Sequence, residues 1–368
     1  MRPESLSFLT SLLNMPSPSG HEHAGQRLWL SYVRPFATHT WNDAYGNCFA
    51  SLEPTSERGG YAADRVITVA VCGHADEIGL MVNHFDEKGF VFCRAIGGID
   101  NTSIVGKRVR FASTIPGVGD VLGVIGATAI HLQDRSGDLK VRKLHELFID
   151  IGAPDAEAAK KRLRIGDVGV FTDGFETLTD DIVIARALDN RIGTFAAAEA
   201  LRLCRERVDE LNVRVVAVST VQEEIGLHGA AMIVESLRPD VCLVSDVGHA
   251  TDSPGISHAQ HGQFKLGGGP KLAVGAQMHP AVVARLEAAA LARQVTLQRS
   301  ATPGSSGTDT DEIFLRRGGT PCGLLSLPIR YMHTTVEMSS LKDLEHIADV
   351  FAEFCIGLPA ATTFVADL

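Results

Sequence analysis

The pattern of hydrophobic and polar positions changes twice along this 368-residue chain. After about residue 178, short apolar runs typical of buried strands alternate with longer segments whose apolar residues recur at helical spacing. Strands are predicted at 182–187, 213–221, 241–245, 296–299 and 322–327, and helices at 192–205, 228–237, 280–293, 309–317 and 340–356. This alternation predicts an α/β domain with a mainly parallel central sheet and flanking helices.

The first 79 residues fit the same domain. The sequence predicts a helix at 4–14, a second helix that ends near residue 33, a hairpin at 41–52 and a buried strand at 65–72. Ser19 follows a proline-rich stop and is predicted to cap the second helix.

The middle of the chain, from residue 80 to about 175, has a different texture. Short β-rich pieces at 89–93, 107–111, 120–125 and 167–171 are punctuated by glycine, and only 155–163 has a helical pattern. We therefore predict a small β-barrel domain at 80–175, inserted between two parts of the α/β domain at 1–79 and 176–368.

Composition excludes several classes of protein. A formal net charge of −10 argues against a nucleic-acid surface, which needs a basic face. No apolar run reaches the ~18 residues of a membrane span, and the first residues lack a secretory signal's apolar core, so we expect a cytoplasmic protein that does not bind membranes. The seven cysteines lack C-x-x-C spacing, and Cys72, Cys242 and Cys322 lie in apolar runs, so we interpret these three as buried hydrophobic residues.

Polar residues follow the predicted buried strands at the points where the strands end. Because the ligand crevice of an open α/β sheet forms outside the carboxyl ends of its strands, we expect these side chains to gather at one edge. They are His74, Asp189, Glu223, Glu224, Asp246 and His333. Each residue alone has a simpler interpretation, such as a core histidine, a helix cap, a turn former or a loop residue. Their common position at strand ends favours a shared ligand-binding site over these separate interpretations.

The residue types indicate the ion. Histidine nitrogens and carboxylate oxygens suit zinc, cobalt or manganese, and they do not suit copper(I) or an iron–sulfur cluster. Two divalent ions carry about four positive charges, and the predicted ligand carboxylates of Asp189, Glu224 and Asp246 return about three. A hydroxide that bridges the two ions would bring the site close to neutral and would act as the nucleophile.

Two further carboxylates adjoin the predicted ligands. Side chains alternate along an extended segment, so Glu223 and Glu224 should point in different directions, which leaves Glu223 as the predicted general base. Asp76, two residues after His74, is predicted to orient the imidazole. Taken alone, the two glutamates also fit a solvated first turn of the next helix.

These residues occur in short segments along nearly the whole chain. The segments are GHADEIG (73–79), ALDNR (187–191), VQEEIGL (221–227), SDV (245–247), SGTD (306–309) and PIRYMH (328–333), with LFIDIGA (147–153) in the insert. In this order they resemble the M42-type metalloaminopeptidases, a family that includes glutamyl and tetrahedral aminopeptidases and cellulase M-like proteins. The chain departs from the family pattern at His228 and in the acidic segment 310–312, and both departures bear on substrate preference.

The resemblance implies two divalent ions per subunit, most simply zinc, with cobalt or manganese as alternatives. It implies that His74, Asp189 and Asp246 hold one ion and that Asp189, Glu224 and His333 hold the other.

The resemblance also implies the roles of the neighbouring carboxylates and the form of the assembly. Glu223 is the implied general base, and Asp76 is the implied partner of the histidine. The implied fold is a zinc-peptidase-like α/β domain with a PDZ-like barrel used in subunit contacts. The implied assembly is a large hollow homo-oligomer, typically a dodecamer.

We therefore predict an aminopeptidase that removes the N-terminal residue from short peptides by means of the metal-bridging hydroxide. Another co-catalytic metallohydrolase, an N-deacylase or a carboxypeptidase, remains an alternative because the same ligands can cut several amides. A non-catalytic assembly protein is a third. Arg191 and Arg330 fit either substrate binding or structural salt bridges, and one of His249, His258 and His261 is a candidate for the pocket wall.

Overall fold

A computed structural model describes residues 1–55, 66–132 and 141–365. Within these ranges the α-helices are α1 (Pro3–Asn14), α2 (His23–Val33), α3 (Ala156–Lys160), α4 (Leu188–Glu206), α5 (His228–Leu237), α6 (His258–His261), α7 (Pro280–Ala292), α8 (Thr310–Ile313) and α9 (Leu341–Ile356). The strands are β1 (His39–Asn42), β2 (Cys48–Leu52), β3 (Thr68–His74), β4 (Gly79–Phe85), β5 (Val91–Ile96), β6 (Arg108–Ala112), β7 (Asp120–Gly126), β8 (Phe148–Asp150), β9 (Val168–Phe171), β10 (Glu176–Thr177), β11 (Ile182–Ala185), β12 (Arg214–Thr220), β13 (Val241–His249), β14 (Lys271–Gly275), β15 (Gln298–Thr302), β16 (Cys322–Arg330) and β17 (Glu337–Ser340).

The central sheet is mixed, so the prediction of a mainly parallel sheet holds only at its centre. The strand order is β1-β2-β12-β3-β13-β16-β17-β11-β10, with β14 and β15 attached beside β16. Strands β12, β3, β13 and β16 are mutually parallel, whereas both edges are antiparallel. The pairing changes from parallel to antiparallel towards the edges because β1–β2 and β16–β17 are joined by short connections, which allow only antiparallel pairing.

Helix α4 covers the parallel centre of the sheet and contacts β3, β12, β13 and α9. Its alanine-rich middle is buried and lets the helix lie close to the strands. The closest approach is at Gly73, where a Cβ atom would stand 2.2 Å from the backbone of Gly193. This contact fixes the end of β3, one residue before His74.

The predicted small barrel is present. Strands β4, β5, β8, β7, β6 and β9 close on one another and enclose a separate hydrophobic cluster that includes Val91, Phe111, Ile125 and Ile149. Burial alternates along β6 and β7, as expected of strands with one face inside a barrel. The PDZ-like relationship and the domain limits 1–79, 80–175 and 176–368 remain predictions.

Several local predictions need correction. Ser19 does not cap α2, whose N-cap residue Glu22 has no side-chain cap; the Ser19 hydroxyl instead donates to Asp76. The predicted strand at 65–72 begins at Thr68 and runs to His74, and Arg65 lies outside the described residues. In the described part of the chain, no helix is both long and apolar enough to cross a bilayer.

Candidate metal centre

Parallel pairing brings four of the six predicted residues to one edge of the sheet. His74 ends β3 and pairs with Thr220, the last residue of β12, so that the following residues Glu223 and Glu224 emerge beside it. Asp246 lies inside β13, which continues to His249 along β16, so the prediction that this strand stops before Asp246 is wrong.

The remaining two residues come from connections on the neighbouring strands. Asp189 lies at the start of α4, directly after β11, and His333 lies between β16 and β17. Ala187, Gln222 and His333 have φ angles of 57°, 59° and 61°, which are unfavourable for residues with a side chain. Such backbone geometry is concentrated at functional sites, where the surrounding fold holds it in place.

The five predicted metal ligands lie together. Asp189 stands between the two histidines: its Oδ1 is 3.3 Å from Nε2 of His74, and its Oδ2 is 3.3 Å from Nε2 of His333. On one side of it, Asp246 Oδ1 is 3.8 Å from His74 Nε2. On the other side, Glu224 Oε2 is 3.6 Å from His333 Nε2. Two half-sites therefore share one aspartate.

Glu223 is as close to this cluster as the predicted ligands are. Its Oε2 lies 3.6 Å from His74 Nε2. Two overlapping triads have ligand atoms within 4.8 Å of one another, one formed by His74, Glu223 and Asp246 and the other by His74, Asp189 and Glu224. Distance alone thus does not separate a base from a ligand at Glu223.

Asp76 fixes the backbone positions of the two glutamates, which do not lie on an extended strand. Strand β12 ends at Thr220, before the glutamates. The backbone amides of Glu223 and Glu224 then donate to the two carboxylate oxygens of Asp76, at 3.0 and 3.1 Å. Asp76 Oδ1 is also 3.3 Å from Nδ1 of His74, the contact that its predicted orienting role requires.

Glu337 holds the backbone of the other two connections in the same way, and sequence analysis did not identify it. Its Oε2 accepts from the backbone amide of Asp189 at 2.9 Å, and its Oε1 accepts from that of His333 at 3.2 Å. The side chain is buried at the start of β17. The only available signal was a glutamate four residues after His333, a spacing that belongs to no metal motif.

Burial dominates the electrostatics of the carboxylates. It raises the pKa of Glu223 to about 8, with the charges of Asp309 and Asp189 acting in the same direction. Burial also raises the pKa of Glu224 and Asp246 well above the usual range. The carboxylates therefore repel one another in a dry environment that favours their neutral forms.

The histidines and Asp189 behave in the opposite way. Burial alone would raise the pKa of Asp189, but hydrogen bonds with His333 and His74 lower it below the usual range. Burial alone would lower the pKa of His74, but the charge of Glu223 and a hydrogen bond with Asp189 raise it well above the usual range. The crowded acidic groups thus favour positive charge at the centre of the cluster.

These observations fit a site for divalent cations. The donor atoms are imidazole nitrogens and carboxylate oxygens, which zinc and similar ions prefer. Among the described residues, no hydrogen-bond donor reaches the buried Oε1 of Glu224. A buried carboxylate oxygen without a donor is costly unless a cation or proton meets it.

The cluster forms the floor of a cavity of about 680 Å³. Lys271, Ser300 and Asp311 contribute to its walls, together with His249, the one member of the predicted histidine group that lines it. His258 instead faces the carbonyl of Thr251. The cavity has room for a peptide segment next to the cluster.

The two arginines left open by the sequence have structural contacts. Arg191 is buried, pairs with Glu77 and donates to the backbone carbonyls of Leu12 and Met15. Arg330 pairs with Asp252, at 2.7 Å between Nη2 and Oδ2. These contacts support the structural interpretation of both residues.

The two departures from the family pattern lie beside the cavity. His228 is exposed and has its Nδ1 3.4 Å from Oε1 of Gln222. In the acidic segment, Asp311 accepts from the backbone and side chain of Ser306 and from the amide of Gly307, while Glu312 pairs with Arg316. Asp311 thus orders the loop that forms one cavity wall.

Comparison with known proteins agrees with this geometry. A sequence model of the family described as M42 glutamyl aminopeptidase matches residues 58–350. The chain is 30% identical to the lysyl aminopeptidase of Pyrococcus furiosus over 344 residues, which cover 92% of this chain and 93% of that protein.

Solved structures match over the same extent. A TET aminopeptidase from a marine-sediment Thaumarchaeota archaeon superposes with a TM-score of 0.88 at 28% identity, covering 97% of each chain. The TET1 peptidase of Pyrococcus horikoshii, described as assembling into a tetrahedron or a large octahedral shell, has a TM-score of 0.81 at 28% identity and covers 96% of this chain and 100% of that chain.

Proposed function

The chain belongs to the M42 peptidase family and is a hydrolase that acts on peptides; within that activity, we propose that it is a two-metal aminopeptidase that releases the N-terminal residue of short peptides. The observation that carries this proposal is the position of Asp189, with one carboxylate oxygen 3.3 Å from each of two histidines. A carboxylate shared in this way suits two adjacent cations.

The residues divide into two ligand sets. His74, Asp189 and Asp246 would hold one cation, and Asp189, Glu224 and His333 would hold the other. When bound, such cations polarise a peptide carbonyl and lower the pKa of water. Zinc is the proposed ion, and cobalt and manganese suit the same donors.

Glu223 is the proposed general base. Its carboxylate faces His74 and is almost fully buried, and burial raises its pKa to about 8. A carboxyl group with a pKa near neutrality can take a proton from water and deliver it to the leaving amine. Asp76 and Glu337 hold the backbone amides of the site residues and so limit the movement of the connections that carry them.

The proposal extends to assembly. The TET1 peptidase of Pyrococcus horikoshii can assemble into a tetrahedron or a large octahedral shell. The inserted segment of this chain exposes apolar side chains at Val105, Leu122, Val124 and Ile165. Exposed apolar groups of this kind mark contact surfaces. We propose that the barrel carries subunit contacts in a large homo-oligomer, with twelve subunits as the family resemblance implies, in the cytoplasm.

One experiment separates the candidate reactions. The purified protein is analysed for zinc, cobalt and manganese, and then assayed on a peptide with a free amine, on its N-acetylated form and on its C-terminally amidated form. The aminopeptidase proposal expects two ions per subunit and cleavage of the free-amine and amidated peptides. Preference for the acetylated peptide would identify a deacylase, and loss of cleavage on amidation would identify a carboxypeptidase. No turnover with both ions bound would favour the non-catalytic alternative.

A further inference from the structure

A cluster of buried charged residues adjoins the predicted metal ligands along the chain, and the proposed reaction does not use it. Glu77 pairs with two arginines, Arg186 and Arg191, and all three side chains are buried. Glu77 comes three residues after His74, and Arg191 comes two residues after Asp189. The Glu77–Arg191 ion pair therefore joins the two chain segments that carry these predicted ligands.

The end of helix α1 supplies further acceptors to the two arginines, whose charges one carboxylate does not balance. Arg191 donates to the backbone carbonyls of Leu12 and Met15. Nη2 of Arg186 donates to the carbonyl of Asn14 at 3.1 Å. The last carbonyls of a helix have no partner within the helix and carry partial negative charge. They thus offset part of the excess positive charge and hold both guanidinium groups in place.

The segment that follows α1 also fixes the chain around Glu77. The amide of Glu77 donates to the carbonyl of Ser17 at 3.1 Å, and its Oε1 accepts from the amide of Ser17 at 2.8 Å. The preceding residue, Asp76, accepts from Ser19 at 2.6 Å and contacts His74. The connection after β3 is therefore held in place from His74 to Glu77.

Three successive residues tie the start of α4 to different parts of the fold. The amide of Asp189 donates to a carboxylate on β17. The side-chain amide of Asn190 donates to the carbonyl of Ser245 on β13 at 2.9 Å. Of the three residues, Arg191 is the one whose side chain is tied to the connection after β3, which begins at His74.

We propose that Glu77 and Arg191 are positioning residues, whose ion pair fixes the distance between two of the predicted metal ligands. These ligands are His74 and Asp189, with Nε2 and Oδ1 3.3 Å apart. The inference rests on the proposed two-metal centre and adds to it two residues that do not line the cavity. Breaking a buried ion pair leaves an uncompensated charge, so the pair keeps the two connections together before a cation binds. Ligands held in advance bind a cation more tightly, because binding then does not have to order them.

Metal binding tests this proposal separately from activity. Wild type, Glu77→Gln and Arg191→Lys are stripped of metal, checked for folding by circular dichroism and titrated with zinc against a competing chelator. The measured quantity is the product of the two zinc dissociation constants. Glu77→Gln removes the negative partner of two arginines, whereas Arg191→Lys keeps the positive charge but loses the planar fork that reaches Glu77 and α1 together.

We expect Glu77→Gln to raise this product by about 10- to 100-fold and Arg191→Lys to raise it by about ten-fold, as removed partners of metal ligands do. The matched control is Glu199→Gln. Glu199 is a buried carboxylate farther along α4 that pairs with Arg202 at 3.0 Å and accepts from Ser5 of α1 at 3.0 Å. Its replacement should lower the midpoint of thermal unfolding, as Glu77→Gln does, but leave the zinc constants unchanged.

Two kinds of result would overturn the inference, and they differ in meaning. If wild type binds two zinc ions but the folded variants keep its zinc constants, the pair is a structural element only and the two-metal proposal stands. An equal rise of the product in Glu199→Gln would likewise reduce the effect to general destabilisation. If wild type binds fewer than two zinc ions, the proposed function fails and the inference fails with it. Should Glu77→Gln not fold, the zinc constants of Arg191→Lys decide.

Discussion

The sheet edge and the barrel contrast in what they bury. At the sheet edge, carboxylates and histidines are packed into a nearly dry cluster, in which Asp76, Asp189 and Asp246 are 0–7% exposed. On the barrel, apolar side chains such as Leu122 and Val124 are 51% and 44% exposed. Both arrangements cost free energy in an isolated chain. The comparison suggests that each region is completed by something else, the edge by cations and the barrel by neighbouring subunits.

The two regions also meet. Residues 97–100 connect β5 to the rest of the barrel and lie against the connection that carries His333. The amide of Asp100 donates to the His333 carbonyl at 3.1 Å, and the Gly98 backbone forms a hydrogen bond with the imidazole. A Cβ at Gly97 would stand 3.2 Å from Oε2 of Glu224. The barrel therefore supports one half of the metal cluster from outside the sheet.

The largest effect is expected from Glu223→Gln, which tests the division of labour inside the cluster. As general base, Glu223 contributes a factor of about 10²–10⁴ to kcat, and its amide replacement should lose that factor while both ions remain bound. The matched variant Glu224→Gln should instead lose one ion per subunit. Metal analysis and steady-state kinetics of both proteins provide the measurement. Loss of an ion from Glu223→Gln would make Glu223 a ligand.

A smaller effect is expected from Glu337→Gln. The amide group keeps one acceptor but turns a donor toward the backbone amide of Asp189 or His333, which both need an acceptor. Partners of this kind change metal affinity by about 10- to 100-fold when they are removed. Competition with a chelator measures the affinity, and the exposed Glu235→Gln on α5 is the control. Unchanged affinity would mean that Glu337 contributes only to folding.

The difference between Glu223 and Glu337 shows what could be predicted from the sequence. Strand periodicity located His74, Glu223, Glu224 and Asp246, because parallel strands deliver their ends to one edge. Glu337 acts on backbone amides, and any buried carboxylate at the right place can do so. Its role depends on the tertiary position of β17, which periodicity does not encode.

The same limit applies to the barrel and to the turn after β12. Glycine-punctuated β segments predicted a small barrel, but not the contact of residues 97–100 with His333, because that contact depends on how two separately packed units dock. Glu223 and Glu224 meet different histidines, as expected, but not through strand alternation, because β12 ends at Thr220 and the left-handed Gln222 ends the extended conformation. The carboxylate of Asp76 then fixes both residues from another strand.

Gly98→Ala tests the contact between the two regions and should have a moderate effect. The new Cβ would stand 3.1 Å from Nδ1 of His333, so the imidazole must move by a few tenths of an ångström. Since a misplacement of about 1 Å can cost 10²-fold, we expect kcat/KM to fall by about ten-fold or less. Gly304→Ala is the control, because its Cβ would meet nothing within 4 Å. Equal kinetics for both variants would show that the barrel does not support His333.

The smallest effect on catalysis is expected from the double variant Leu122→Lys, Val124→Lys on the barrel. Both side chains point outward from β7 and pair across the strands with Arg110 and Arg108, so the new charges leave the barrel core intact but add repulsion to any subunit contact there. We expect the particle mass measured by light scattering to fall, while kcat per subunit changes by less than about two-fold, as for surface substitutions. Glu157→Lys, exposed on α3, adds a like charge to the insert and should leave the mass unchanged. An undiminished mass in the double variant would remove this face of β7 from the proposed contacts. A large loss of kcat at unchanged mass would mean instead that the barrel supports the metal cluster through more than residues 97–100.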